Sequence, residues 1–186
     1  MSVMAEQKPS ILLVDDEGDI LFSLKALLRR EFDLFTADSG AEALRILAER
    51  PIRVVMSDQR MPGMTGVELL SQVKARYPDT IRILFTGYAD IKAVVDGINR
   101  GGLYRYLTKP WDPDDLLEVL HSAADMYQRR AAQAGLLREL RLLLAEAAPD
   151  NAAHGNGIWR ARLGELLAQL DRLLEAESDE QALPRN

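Results

Sequence analysis

The sequence predicts an α/β protein built on a parallel sheet covered on both faces by helices. Two observations carry this. Short apolar runs alternate with amphipathic helical patterns five times over residues 10–125, and that alternation is the mark of right-handed crossovers between parallel strands. The runs Ile11–Val14 and Val54–Met56 are also apolar throughout rather than at every second position, as strands buried on both faces are.

Each element follows from its own residues. Residues 1–9 read as a flexible lead. Ile11-Leu12-Leu13-Val14 is the first strand and ends in Asp15-Asp16-Glu17. Ile20, Leu21, Leu24, Leu27 and Leu28 recur at helical spacing, so residues 17–30 form an amphipathic helix. Leu34–Ala37 is the second strand. Ser39 and Glu42 have the form of a capping box, opening a helix that turns Ala43, Leu44 and Leu47 inward. Residues 53–58 are the third strand, ending on Asp58 before a Pro- and Gly-rich turn. Thr65 and Glu68 open the next helix, and Tyr77-Pro78-Asp79 breaks it. Arg82–Thr86 is the fourth strand. A helix over about 90–100 buries Ile91, Val94, Val95 and Ile98, and Gly101-Gly102 ends it. Tyr104–Thr108 is the fifth strand, with Lys109-Pro110 at its end. Asp112 caps a helix whose first position is Pro113.

Composition narrows the function. The chain has 186 residues, 47% hydrophobic and 28% charged, as a soluble globular protein does. Its net charge of -6 argues against a general grip on nucleic acid or anionic membrane. Without cysteine it has no disulfide or thiolate metal site. Neither a signal peptide nor a run of apolar residues long enough for a membrane span is visible, so a cytoplasmic location without membrane insertion is expected.

In an open parallel sheet, ligands bind at the carboxyl ends of the strands. Asp15, Asp16, Asp58, Thr86 and Lys109 all stand at such ends. Alone, each reads as a cap, a surface charge or a turn hydroxyl. Together they make that reading weak. Converging carboxylates repel one another, and a hard cation such as Mg²⁺ together with a lysine ammonium relieves the repulsion. Such a site can take a phosphoryl group on a carboxylate while metal and lysine neutralise its oxygens.

Val14-Asp15-Asp16-Glu17, Ser57-Asp58 with Met61-Pro62-Gly63-Met64-Thr65-Gly66, Thr86-Gly87 and Lys109-Pro110 resemble the motifs of the receiver domain of two-component response regulators, in order and at the usual spacing over about residues 10–125. Ser57–Pro62 and Tyr104–Trp111 look most like receivers of hydrogenase-expression regulators and of HD-type cyclic-dinucleotide phosphodiesterases. The resemblance implies a flavodoxin-like (βα)5 fold with strand order 2-1-3-4-5. It implies that Asp58 accepts a phosphoryl group from a sensor histidine kinase. It implies Mg²⁺ (or Mn²⁺) on Asp16, Asp58 and the Arg60 backbone carbonyl, with Asp15 acting through water. Lys109 would pair with the phosphoryl group, and the Lys109–Pro110 peptide would be cis. Thr86 and Tyr106 would be the switch pair. Arg60 and Tyr88, both bulky, would obstruct the hydrolytic water and lengthen the phosphoryl lifetime. His121 and His154 carry no such expectation.

Residues 126–177 read as a helical extension. Leu137, Leu140, Leu144 and Ala147 follow the spacing of a coiled-coil seam, interrupted on its N-terminal side by Gln128-Arg129-Arg130, where the helix could bend. Pro149–Gly157 is a break. A second helix over about 158–177 carries Trp159, Leu163, Leu166, Leu170 and Leu173, and residues 178–186 form a frayed tail. Two such helices are not stable alone in water. They must fold into a hairpin or pair with a second chain, and a homodimer is the preferred reading.

The resulting expectation is a phosphorylatable receiver, not an enzyme beyond its own phosphorylation and slow autodephosphorylation. Phosphorylation would switch dimerisation or binding of a downstream protein, without direct nucleic-acid contact. The alternative is the N-terminal, signal-receiving fragment of a longer regulator with an enzymatic or DNA-binding output. An aspartate-nucleophile phosphatase ranks last, because such enzymes usually want a second Asp where this chain has Arg60.

Overall fold

The structure, a computed structural model, describes residues 8–87, 102–146 and 162–169. The elements expected at 90–100 and 149–157, with Tyr88, His154, Leu170 and Leu173, lie outside them. The described elements are β1 (Ser10–Val14), α1 (Gly18–Leu28), β2 (Asp33–Ala37), α2 (Gly40–Glu49), β3 (Val54–Asp58), α3 (Gly66–Arg76), β4 (Ile81–Gly87), β5 (Arg105–Lys109) and α4 (Pro113–Glu146). A further helix, α5, covers residues 162–169. The chain divides into two compact units, Met1–Tyr127 and Gln128–Asn186.

In the first unit the strands run in the order β2-β1-β3-β4-β5, and every pairing is parallel. Alternate residues of each strand enter two separate cores. On one face Ile11, Leu13, Val54, Met56, Ile83 and Phe85 pack with Leu24 and Leu28 of α1 and with Leu116, Leu120 and Ala123 of α4. On the other, Leu12, Val14, Val55 and Leu84 pack with Ala43 and Leu47 of α2 and with Leu69, Leu70 and Val73 of α3. Burial on both faces is why these strands read as unbroken apolar runs. Between β1 and β3 the order reverses, which opens the crevice where doubly wound sheets place their ligands.

The local signals act as their residues predict, with one shift. Thr65 and Glu68 form a complete capping box. The two Thr65 donors, its backbone N–H first and then its hydroxyl, hold the Glu68 carboxyl below its ordinary value of 4.5. At α2 the Ser39 hydroxyl accepts from the Glu42 N–H, but the Glu42 carboxylate reaches one residue further, to the Asp38 N–H. The Asp112 carboxylate accepts from the N–H groups of Asp114 and Asp115.

Arg82, only 6% exposed, is a charge inside the sheet. It donates to the carbonyls of Pro78, Thr80 and Gly102, tying the start of β4 to the chain that returns into β5. Gly102 takes φ +54°, a left-handed conformation that suits glycine.

Helix α4 continues unbroken through residues 128–130. Within the second unit, Leu136 and Leu166 are buried, and both line an apolar gap with Leu137, Leu140 and Leu167. Arg162 pairs with Glu139 and Glu165. Among the described residues of α4 that fall in the second unit, Leu136 is buried, while the seam residue Leu137 is 56% exposed.

Candidate functional site

Three strands deliver the site. The carboxyl ends of β1, β3 and β5 bring Asp15, Asp58 and Lys109 together from widely separated parts of the chain. The Lys109 Nζ lies 2.7 Å from Asp15 Oδ2 and 2.7 Å from Asp58 Oδ1, with Glu17 Oε1 at 4.0 Å. One ammonium thus bridges two carboxylates. Asp15 is 1% exposed and Asp58 7%, so neither relies on water to screen it, and a partner is required at that depth. Burial alone would lower the lysine's pKa. The hydrogen bonds and charges of Asp15 and Asp58 together outweigh it and hold the ammonium above its ordinary value.

The remaining carboxylate oxygens are tied to the backbone. Asp15 Oδ1 accepts from the Glu17 N–H at 2.9 Å, at the cap of α1. Asp58 Oδ2 accepts from the Arg60 N–H at 2.5 Å. The loop after Asp58 then doubles back. Gly63 takes φ +77°, and the Gly66 N–H donates to the Gln59 carbonyl. A β-carbon at Gly66 would stand 2.2 Å from the Asp58 carbonyl oxygen. Only glycine permits that approach, which makes the close packing of α3 against the end of β3 a condition of the site.

The other predicted residues lie around this centre in different ways. Thr86 is 2% exposed, and its hydroxyl donates to the Gly87 carbonyl at 3.3 Å. Asp16 is exposed, unlike its neighbour Asp15. Arg60 is exposed on the loop. Tyr106 is 48% exposed, and its ring is on the outside in this conformation. The Lys109–Pro110 peptide is cis. His121 pairs with Glu31 and leans on the Phe32 ring, away from the three charged groups.

Two contributions escape a reading of motifs. The Phe85 ring lies 5.1 Å from the Lys109 ammonium, within cation–π range, and Trp111 packs on the same ring at 4.9 Å. Both were visible as residues flanking Thr86 and Lys109, but nothing in the sequence pairs them. Gln59 is the second, held between the loop and two neighbouring elements.

A divalent cation fits this donor set in kind. Buried carboxylate oxygens, here those of Asp15 and Asp58, are the hard donors that Mg²⁺ selects, and it completes its shell with water. Among the described residues no three His, Cys, Asp or Glu side chains converge into a ligand set of their own. Lys109 supplies the positive charge between the carboxylates.

The response regulator receiver domain family matches residues 11–121. The chain is 39% identical over 122 residues to the hydrogenase transcriptional regulatory protein HoxA of Cupriavidus necator, covering 66% of this chain and 25% of that protein. It is 36% identical over 125 residues to the DNA-binding transcriptional regulator NtrC of Escherichia coli K12, covering 67% of this chain and 26% of that protein. Among solved structures, the signal receiver domain of an HD domain-containing protein from Pseudomonas fluorescens Pf-5 superposes with a TM-score of 0.64 at 41% identity, over 66% of this chain and 98% of that one. NtrX from Brucella abortus gives 0.64 at 28% identity, over 70% of this chain and 30% of that one. The chain spans about a quarter of the length of the curated relatives it matches.

Proposed function

The chain belongs to the response regulator receiver family, and we propose that Asp58 is its phosphoacceptor. A receiver works with a partner histidine kinase and is usually non-catalytic apart from its own phosphorylation chemistry. In the proposed reaction the P–N bond of a kinase phosphohistidine breaks as a P–O bond forms to an Asp58 oxygen, giving an acyl phosphate. The observation that carries this reading is the Lys109 ammonium shared between Asp15 and Asp58 at three strand ends. That ammonium already lies beside Asp58 Oδ1 and can neutralise charge on an incoming phosphoryl group. Mg²⁺ or Mn²⁺, held by Asp16, Asp58 and the Arg60 carbonyl with Asp15 through water, would add positive charge to the same oxygens. Thr86 and Tyr106 would move inward toward the phosphoryl group, and the bulk of Arg60 and Tyr88 would slow its hydrolysis.

The downstream step would run through the second unit. Leu166 is already buried within the unit, and the leucines at 137, 140, 144, 163, 170 and 173 are proposed to pair with a second copy or a target protein; the exposure of Leu137 and Leu167 favours an intermolecular partner. No helix among the described residues is long and apolar enough to cross a membrane. The names of HoxA and NtrC favour a second reading, in which this chain is the signal-receiving part of a longer transcriptional regulator. Immunoblotting the native protein separates the two readings by size.

Labelling with acetyl phosphate and Mg²⁺ tests the central claim. The wild-type chain should gain one hydroxylamine-sensitive phosphoryl group and Asp58→Asn none. Equal labelling of the variant would place the acceptor elsewhere.

A further inference from the structure

Gln59, the residue after Asp58, makes three hydrogen bonds to two neighbouring elements, β4 and α3. Its N–H donates to the Phe85 carbonyl in β4 at 3.0 Å, and its own carbonyl accepts from the Gly66 N–H at 3.1 Å. Its side-chain Oε1 accepts from the Val67 N–H at 3.1 Å. Val67 is in the first turn of α3, where N–H groups have no partner within the helix. The cap residue Thr65 spends its hydroxyl on the Glu68 N–H. The Val67 donor is therefore satisfied from the loop that follows β3, by the neighbour of the proposed acceptor.

The peptide that follows Gln59 carries the Arg60 N–H, which holds Asp58 Oδ2 at 2.5 Å. Anchoring Gln59 by backbone and side chain fixes the plane of that peptide. It thereby decides which carboxylate oxygen is tied to the loop and which, Oδ1, is left to Lys109. We propose that Gln59 is a positioning residue that orients the Asp58 carboxylate through the Arg60 peptide, using the start of α3 as its anchor. The inference rests on the reading of Asp58 as phosphoacceptor and names a further residue on which that reaction depends.

The test compares Gln59→Leu, which keeps the size and loses the acceptor, with Gln59→Glu, which keeps an acceptor oxygen beside a helix N-terminus that tolerates negative charge. Two readouts are taken on the full chain. Amide hydrogen exchange in EDTA should be about tenfold faster at Val67 and Arg60 in Gln59→Leu, with Leu12 in the sheet unchanged, and near wild type in Gln59→Glu. Initial labelling by acetyl phosphate should fall about tenfold in Gln59→Leu and recover in Gln59→Glu. Wild-type exchange and labelling in Gln59→Leu would overturn the inference and leave the acceptor reading standing. Equal loss in both variants would also overturn it, because the acceptor oxygen would then not matter. Normal labelling of Asp58→Asn would overturn the acceptor reading and with it the reaction role, while the exchange data would still report whether the Gln59 bond anchors the loop.

Discussion

Replacing Lys109 with methionine keeps most of the stem and removes the one cation between two buried carboxylates. Each carboxylate oxygen is 2.7 Å from Nζ. At an effective dielectric of 20, a unit-charge pair at 4 Å is worth about 4 kcal/mol, so two closer pairs give roughly 8 kcal/mol or more before solvation. Taking three charged groups largely out of water removes more than half of that, leaving a net loss of about 3 kcal/mol on deletion. With a urea slope of about 2 kcal/mol/M, the unfolding midpoint should drop by about 1.5 M. The assay is urea unfolding at pH 7 in EDTA, followed by Trp111 emission in a Trp159→Phe background. In an Asp58→Asn background the same Lys109→Met change should cost about half as much, since one of the two pairs is already gone. A Lys109→Met midpoint within about 0.2 M of wild type, or an equal cost in both backgrounds, would refute the claim that the bridging ammonium stabilises the carboxylate pair.

Four further outcomes follow from other contacts. Gly66→Ala sets a β-carbon 2.2 Å from the Asp58 carbonyl oxygen and 2.9 Å from Leu84 Cδ1. It should cost about 2–3 kcal/mol in urea unfolding and reduce acetyl phosphate labelling. Glu68 has a depressed folded-state pKa, so its contribution is present above the ordinary value of 4.5 and lost as pH falls through the folded value. The midpoint gap between wild type and Glu68→Ala should accordingly be steady from pH 7 to about 5.5 and close on further acidification. In the second unit, Leu166 is 3% exposed, and Leu166→Ala should cost about 2–4 kcal/mol of that unit's stability, seen as lost helical circular dichroism. Leu137→Ala should leave the circular dichroism nearly unchanged but lower the mass in light scattering if a second copy docks there.

The sheet and most of its helices are legible because their signals are local. An apolar run such as Ile11–Val14 and a cap such as Thr65 or Asp112 act within a few residues. The site residues are legible because strand ends converge by topology, so Asp15, Asp58 and Lys109 need no contact information to be grouped. What was not legible depends on where a side chain lands across elements. Gln59 reads as an ordinary loop glutamine until α3 supplies an unpaired donor. Arg82 reads only as the first residue of a strand, yet it is buried and donates to the Pro78 and Thr80 carbonyls just before β4 and to the Gly102 carbonyl on the return into β5. The leucine spacing points to Leu137 as the inward residue, yet Leu136 is the one buried and Leu137 is exposed.

The bridge from Lys109 to Asp15 spans 94 positions of the chain, and β4 and β5 must be in place beside β3 before the lysine meets either carboxylate. Parallel sheets close late, because every strand pairing must first bring together segments far apart in the chain. A half-made copy leaving the ribosome therefore has an aspartate at position 58 but no bridging lysine beside it. The proposed chemistry at Asp58, which needs all three groups, would double as an inspection of the finished product. Under that proposal, defective or unfinished copies would stay mute rather than send a false message.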